Sequence, residues 1–314
     1  MVGEREASET GSGLGSEFAK LWAASAASNL GDGVWLVAAP LLAVTLTRDP
    51  ALVAGLAVAQ RLPWLLFGLI GGALADRLDR RRAMVAVALL STLRGAFRPA
   101  RDEETLRGSL WSEIAVGVRW LWGQRLLRAL SLTLALLNLT LVAQVAIMVL
   151  FAEERLGLGP QGYGALLAVY GVGGGVGSLV AERVLARVGE AVYLRLAVVI
   201  EAAAPAIIVL STSPLVVGLV LALFGVHAIV RGALLTALRQ EITPDPLRGR
   251  VSSVHALLEY GSAAPGALLG GLLAARFGLT APFWLGAITG LALIPIVWPL
   301  FTEAEIAAAR ENAD

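Results

Sequence analysis

The chain has 314 residues, 57% of them hydrophobic and only 16% charged, against about 25% charged in a soluble domain; with a mean hydropathy of +0.75 it has the composition of a polytopic membrane protein. A net charge of +1 supplies no global field for nucleic acid. The lack of cysteine excludes disulfides, thiolate metal sites and cysteine nucleophiles, and His227 and His255 are too few imidazoles for a metal cluster.

Residues 1–17 are polar, acidic and rich in glycine and serine, without the basic flank and cleavage site of a signal peptide, and read as a disordered tail. A spanning helix needs about 20 mostly apolar residues. Eight segments reach that length: 18–46, 51–75, 129–151, 162–181, 191–210, 213–238, 251–275 and 279–301. A ninth, 83–93, covers on the order of 16 Å of a hydrocarbon core about 30 Å thick and cannot cross unaided. Cytoplasmic loops collect Lys and Arg, so arginine placement sets the orientation. With no crossing at 83–93, one side holds Arg77, Arg80, Arg81, Arg82, the arginines from Arg94 to Arg128, Arg183, Arg187, Arg239, Arg248 and Arg250. The other side keeps only Arg48, Arg155 and Arg276. A crossing at 83–93 would destroy that bias, so the reading is an all-α bundle with both termini in the cytoplasm.

Between Phe97 and Arg128, the residues Leu110, Trp111, Ile114, Val118, Leu121 and Trp122 recur on a broad face at helical spacing. Arg107, Glu113, Arg119 and Arg125 take much of the remainder, which suits a helix lying in the headgroup region; the alternative is an ordinary linker.

Charges inside the spans are the candidate functional residues, because each costs upwards of ~2.5 kcal/mol at mid-membrane unless it faces a cavity or a partner. Asp32 lies in the first span and Arg61 in the second, and the two can pair. Asp32 is the leading candidate for a proton-titrating or cation-recognising carboxylate, with a structural ion pair as the alternative. Glu201, His227, Arg231 and Glu259 form a second set. His227 and Arg231 stand four residues apart on one helix face, where Glu201 or Glu259 would neutralise Arg231. A satisfied buried pair is the plainer reading of this set and a proton relay the functional one; His227 alone reads as a packing residue.

Gly171 with Gly175, and Gly173 with Gly177, give two overlapping Gly-x-x-x-Gly pairs that let helix backbones approach. No strand precedes them and the spacing is not that of a dinucleotide loop. There is no His-Glu-x-x-His, no Gly-x-Ser-x-Gly and no ATP-binding loop, so an intramembrane enzyme is not expected.

Gly72-Ala-Leu-Ala-Asp76-Arg77-Leu-Asp79-Arg80-Arg81-Arg82 closes the second span and resembles the signature loop between helices two and three of the major facilitator superfamily, with Asp79 where a glycine is usual. Gly177-Ser-Leu-Val-Ala-Glu182-Arg183 is a faint second copy at the equivalent place in the other repeat. The resemblance implies that Asp76 latches the cytoplasmic start of helix eleven, near Val251 and Ser252, with Arg77, Arg80 and Arg81 setting the closed state. Alternatively these arginines anchor the loop to anionic lipid.

Gly261, Pro265, Gly266, Gly270 and Gly271 resemble the glycine and proline motif that exporters of this superfamily carry in helix five. The opening Ser28-Asn-Leu-Gly-Asp32-Gly and the run from Arg239 to Val251 resemble the branch of the enterobactin exporter and macrolide-efflux-like permeases. The resemblance then implies a tail at 1–17, an N-terminal half at 18–93, a cytoplasmic linker at 94–128, a complete six-helix half at 129–301 and a tail at 302–314. The first half is shorter than the second by about 90 residues, roughly three and a half spans, as though most of helices three to six were missing, through a real deletion or a defective gene model.

The implied function is proton-coupled efflux of a small amphipathic molecule across the inner (plasma) membrane by alternating access. The proton gradient takes the place of a cofactor, and the partners are the bilayer and the substrate. A non-transporting remnant, or a subunit that associates with a second chain, is the alternative.

Overall fold

The computed structural model describes residues 31, 33–60, 110–244 and 247–311. Asp32, Arg61, Gly72, Asp76, Arg77, Arg80 and Arg81 lie outside the described residues. Among those described there is no strand. The helices are α1 (Gly33–Leu46) and α2 (Pro50–Gln60), then α3 (Leu110–Gly123), α4 (Arg125–Glu154), α5 (Pro160–Val188), α6 (Glu190–Leu210), α7 (Pro214–Ile242), α8 (Arg248–Gly261), α9 (Ala263–Phe277), α10 (Ala281–Val297) and α11 (Glu303–Glu311).

Local chemistry sets the boundaries. Proline occupies the first turn of α5, α7 and α10, where a missing N–H would have had no partner. Gly189 alone joins α5 to α6 with φ of 82°, a region that a side chain resists. Pro265 cannot donate to the Gly261 carbonyl and its ring clashes there; the run from Arg248 to Phe277 is accordingly interrupted between Gly261 and Ala263. Asn138 of α4 fills the interruption, donating from Nδ2 to the Glu259 carbonyl and to Ser262 Oγ.

Among the described residues four helices, α4 to α7, are long and apolar enough to cross a membrane. The stretch from Arg248 to Phe277 and α10 pass that test only together, with the axis turning by 119° between them. The packing register shows what the turn does. Gly266 meets Leu139 and Gly270 meets Ala143, so α9 runs parallel to α4. Phe283 packs on Phe151 with tilted rings, centroids 4.5 Å apart, while Gly286 meets Gln144, so α10 runs antiparallel to α4. Gly290 on Ala202 and the Arg195 Nε bond to the Trp298 carbonyl set α10 antiparallel to α6 along most of its length. The turn is therefore a hairpin, and both of its arms run along the bundle.

The same reading makes α5 and α7 parallel, with Gly173 on Ala222 and Gly177 on Val226. The extensive pairs are thus α5 with α7, α4 with α9, and α6 with α10. Exchanging α4, α5 and α6 for α7, α9 and α10 maps this set onto itself, as an inverted repeat of three helices requires.

Two apolar clusters fill the bundle. One joins Leu126, Leu137, Val198, Val230, Val254 and Leu293 at the end where α4 and α6 begin. The other joins Ala146, Phe151, Ile208, Val217, Ala267 and Phe283 at the opposite end. Val53 and Ala54 of α2 belong to the second, and Arg48 bridges to Glu153 at 2.8 Å, so the described part of the first two spans sits on that end of α4 and α9.

At the first end α11 is clasped to three helices. Arg310 donates from Nε to Glu241 of α7 at 2.9 Å and from Nη2 to Glu190 of α6 at 3.0 Å, and Glu305 pairs with Arg125 of α4 at 3.0 Å. The bond to Glu241 is the main reason that the pKa of Arg310 is raised further above its already high value. Next to it, α3 lays Gly117 on the Arg250 backbone of α8, with Leu121 buried and Trp122 exposed.

Candidate functional site

Between their residues in the two apolar clusters α4, α6 and α7 carry polar side chains inside the bundle: Asn138, Thr140 and Gln144 on α4, Glu201 on α6 and His227 on α7. Helix α4 also buries Ser131 and Thr133 beside the first cluster. Glu201 is 6% exposed and His227 3%.

These two meet. Glu201 Oε1 stands 3.2 Å from Arg231 Nη1 and 3.6 Å from His227 Nε2. The other face of the imidazole is held by Tyr193, whose hydroxyl lies 3.2 Å from His227 Nδ1. The same hydroxyl also donates towards the His227 backbone carbonyl at 3.4 Å. Phe224, 5.6 Å from the imidazole centroid, supplies an apolar wall. The set comprises one acid, one fixed cation and one imidazole, each within reach of the next. The carboxylate sets its charge against Arg231 in a buried setting, with the imidazole beside the same oxygen.

Of the charges singled out in the sequence, Glu201, His227 and Arg231 come together. Glu259 does not join them; its carboxylate lies 3.8 Å from His255 Nε2, one turn away on α8. Gly173 and Gly177 lie against α7, and a Cβ on Gly177 would stand 2.8 Å from the Val226 carbonyl oxygen. Gly171 and Gly175 have open space where a Cβ would be. Gly266 and Gly270 pack on α4, while Pro265 is exposed and acts through the backbone.

Sequence reasoning missed Tyr193 and Asn138. Tyr193 carried a signal, since it precedes Glu201 by eight residues, two turns along the same side of α6. Asn138 carried none, because its partner, the Glu259 carbonyl, lies 121 residues away in the sequence.

The family model described as transmembrane secretion effector matches residues 14–98 and 87–311, nearly the whole chain. The chain belongs to that family. It is an MFS-type membrane transporter, a multi-pass protein of a transporter family rather than of an enzyme family. No curated protein matches the chain.

Proposed function

We propose that this protein is a proton-coupled efflux transporter of the inner (plasma) membrane, with both termini in the cytoplasm, that exports a small amphipathic molecule by alternating access. Residues 129–301 form its six-helix half, with α9 and α10 as separate crossings joined by the hairpin. The opposing registers of these helices along α4 support that count.

The observation that carries the reading is the buried Glu201 carboxylate between Arg231 and His227. An ion pair that served stability alone would be matched or bettered by apolar residues of similar volume. Here an imidazole also faces the same oxygen, with Nε2 at 3.6 Å. Asp32 remains the candidate for a second titrating carboxylate in the first span. The drug- and siderophore-like character of the substrate rests on the resemblance of Ser28–Gly33 and Arg239–Val251 to the enterobactin and macrolide branch.

A second reading is supported by the two family matches meeting at residues 87–98, beside a segment too short to cross. If most of helices three to six are absent, the cavity lacks much of one wall and a second chain would have to supply it.

The test is equilibrium binding of an amphipathic cationic dye to the detergent-purified chain from pH 5 to 9. We expect affinity to change with pH in the wild type and to be flat in Glu201→Gln combined with Arg231→Gln, a pair chosen because it leaves no lone buried charge. A wild-type titration that is itself flat overturns the assignment to this cluster, and so does one that persists unchanged in the double variant. In the latter case Asp32→Asn locates the carboxylate.

A further inference from the structure

We propose that the seam between α1–α2 and the helices α4, α5 and α9 is a reversible closure: the Arg48–Glu153 pair latches it, and the absent side chain of Gly271 lets it shut. The inference rests on the transport reading, in which this end of the bundle is the outer one and has to open for the substrate to leave.

The seam is built from three contacts. Two side-chain bonds first stiffen the connection from α1 to α2. Thr47 Oγ1 accepts from the Asp49 amide at 3.1 Å, and Asp49 Oδ1 accepts from the Ala51 amide at 2.8 Å in the first turn of α2. Arg48 stands between these two residues, and its Nη2 lies 2.8 Å from Glu153 Oε1 near the end of α4. Arg155, the neighbouring cation on that side, donates instead to the Val209 carbonyl at 3.2 Å. In the second contact the start of α2 lies on α9. A Cβ on Gly271 would stand 2.5 Å from Ala54 Cβ and 3.0 Å from both Ala51 Cα and the Pro50 carbonyl oxygen. The third is a cleft of about 100 Å³, with Leu41, Val44 and Thr45 of α1 on one wall and Val149, Leu158 and Tyr163 on the other.

Each contact suits a surface that separates and re-forms. The ion pair has side chains 59% and 36% exposed, so water and salt replace it at small cost. Ala51, Ala54 and Gly271 let two backbones approach without ordering long side chains, so parting them strands little. The cleft shows that α1 rests on α4 and α5 without the filling that a permanent interior has. Glycine is the residue that decides whether the seam shuts, because two of the three atoms nearest its missing Cβ belong to the backbone and cannot rotate aside.

The chain has no cysteine, so one introduced thiol reports on the seam alone. Val44 is 7% exposed and lines the cleft; Val44→Cys in the full-length, detergent-purified protein is timed against a membrane-impermeant maleimide. We expect slow labelling, faster by about tenfold or more when Gly271→Leu wedges the seam. Arg48→Glu should speed it about two- to fivefold, and adding Glu153→Arg, which restores the pair with its charges exchanged, should return the slow rate. Ile147→Cys, buried within the bundle at 0% exposure, is the control: it should stay unlabelled in every background. If Gly271→Leu exposes Ile147→Cys it has unfolded the protein, and the charge exchange alone then decides.

A rate indifferent to both Gly271→Leu and Arg48→Glu overturns the proposal, and so does an effect of Arg48→Glu that Glu153→Arg does not undo. Neither substrate nor gradient is needed, so a chain that moves no dye still answers. Repeating the labelling in right-side-out vesicles separates the two readings: detergent rates that respond as expected, with no labelling from outside, retain the closure and refute the orientation.

Discussion

Side chains too small to be noticed decide the packing of this bundle. A Cβ on Gly173 would collide with the Ala222 backbone of α7, and a backbone cannot rotate aside as a long side chain does. Gly173→Ala should therefore lower the stability by about 1–3 kcal/mol, the cost of overpacking. Gly171→Ala and Gly175→Ala enter open space and should be neutral or slightly stabilising, since alanine favours a helix by up to about 1 kcal/mol. Thermal unfolding of the three variants in one detergent checks the contrast; equal losses would mean that the outer pair also packs. The sequence displayed both pairs with the same spacing and had no means of choosing between them, because the choice depends on where α7 lies. Glu201 and Glu259 were equivalent partners for Arg231 on the same grounds, and only the packing of α6 on α7 resolves them.

At the scale of elements, apolar length located α4 to α7 correctly, since a hydrophobic stretch is a local property. Between Arg248 and Phe277 it read one apolar stretch, which the structure builds from two helices, α8 and α9. The sequence marked Pro265, but it could not show that Asn138 of α4 donates to the Glu259 carbonyl beside the break. The α11 clasp was invisible for a similar reason, being built from charges at the ends of four different helices. Arg310 is partly exposed and its pKa is raised from a value already far above any working pH. A raised pKa contributes stability below the unfolded value and loses it only above, so the arginine itself adds no pH dependence between pH 5 and 9. Salt is the variable that should matter. Arg310→Ala should cost less than about 1 kcal/mol, and the difference from wild type should shrink in 1 M salt, where screening extends to about 3 Å. Melting temperatures of both proteins at low and high salt measure it; a gap independent of salt would make the contact one of packing.

For the whole molecule, composition and apolar segment length identified a polytopic membrane protein, and the loop from Gly72 to Arg82 pointed to the superfamily to which the family match assigns it. The three-helix inverted repeat was not legible, because it resides in which helices touch and in what register rather than in any residue pattern. It gives the proposed mechanism its geometry: the Glu201 cluster sits between two apolar layers, at the depth where a substrate-coupled proton has to be exchanged. Proteoliposomes containing the purified chain, loaded with an amphipathic dye and subjected to a pH gradient, test this most directly. The account predicts dye flux that follows the gradient, stops when an uncoupler collapses it, and is absent in Glu201→Gln combined with Arg231→Gln. Correctly inserted wild-type protein that moves no dye under any gradient would contradict it, and would leave a chain that needs a second one to complete its cavity.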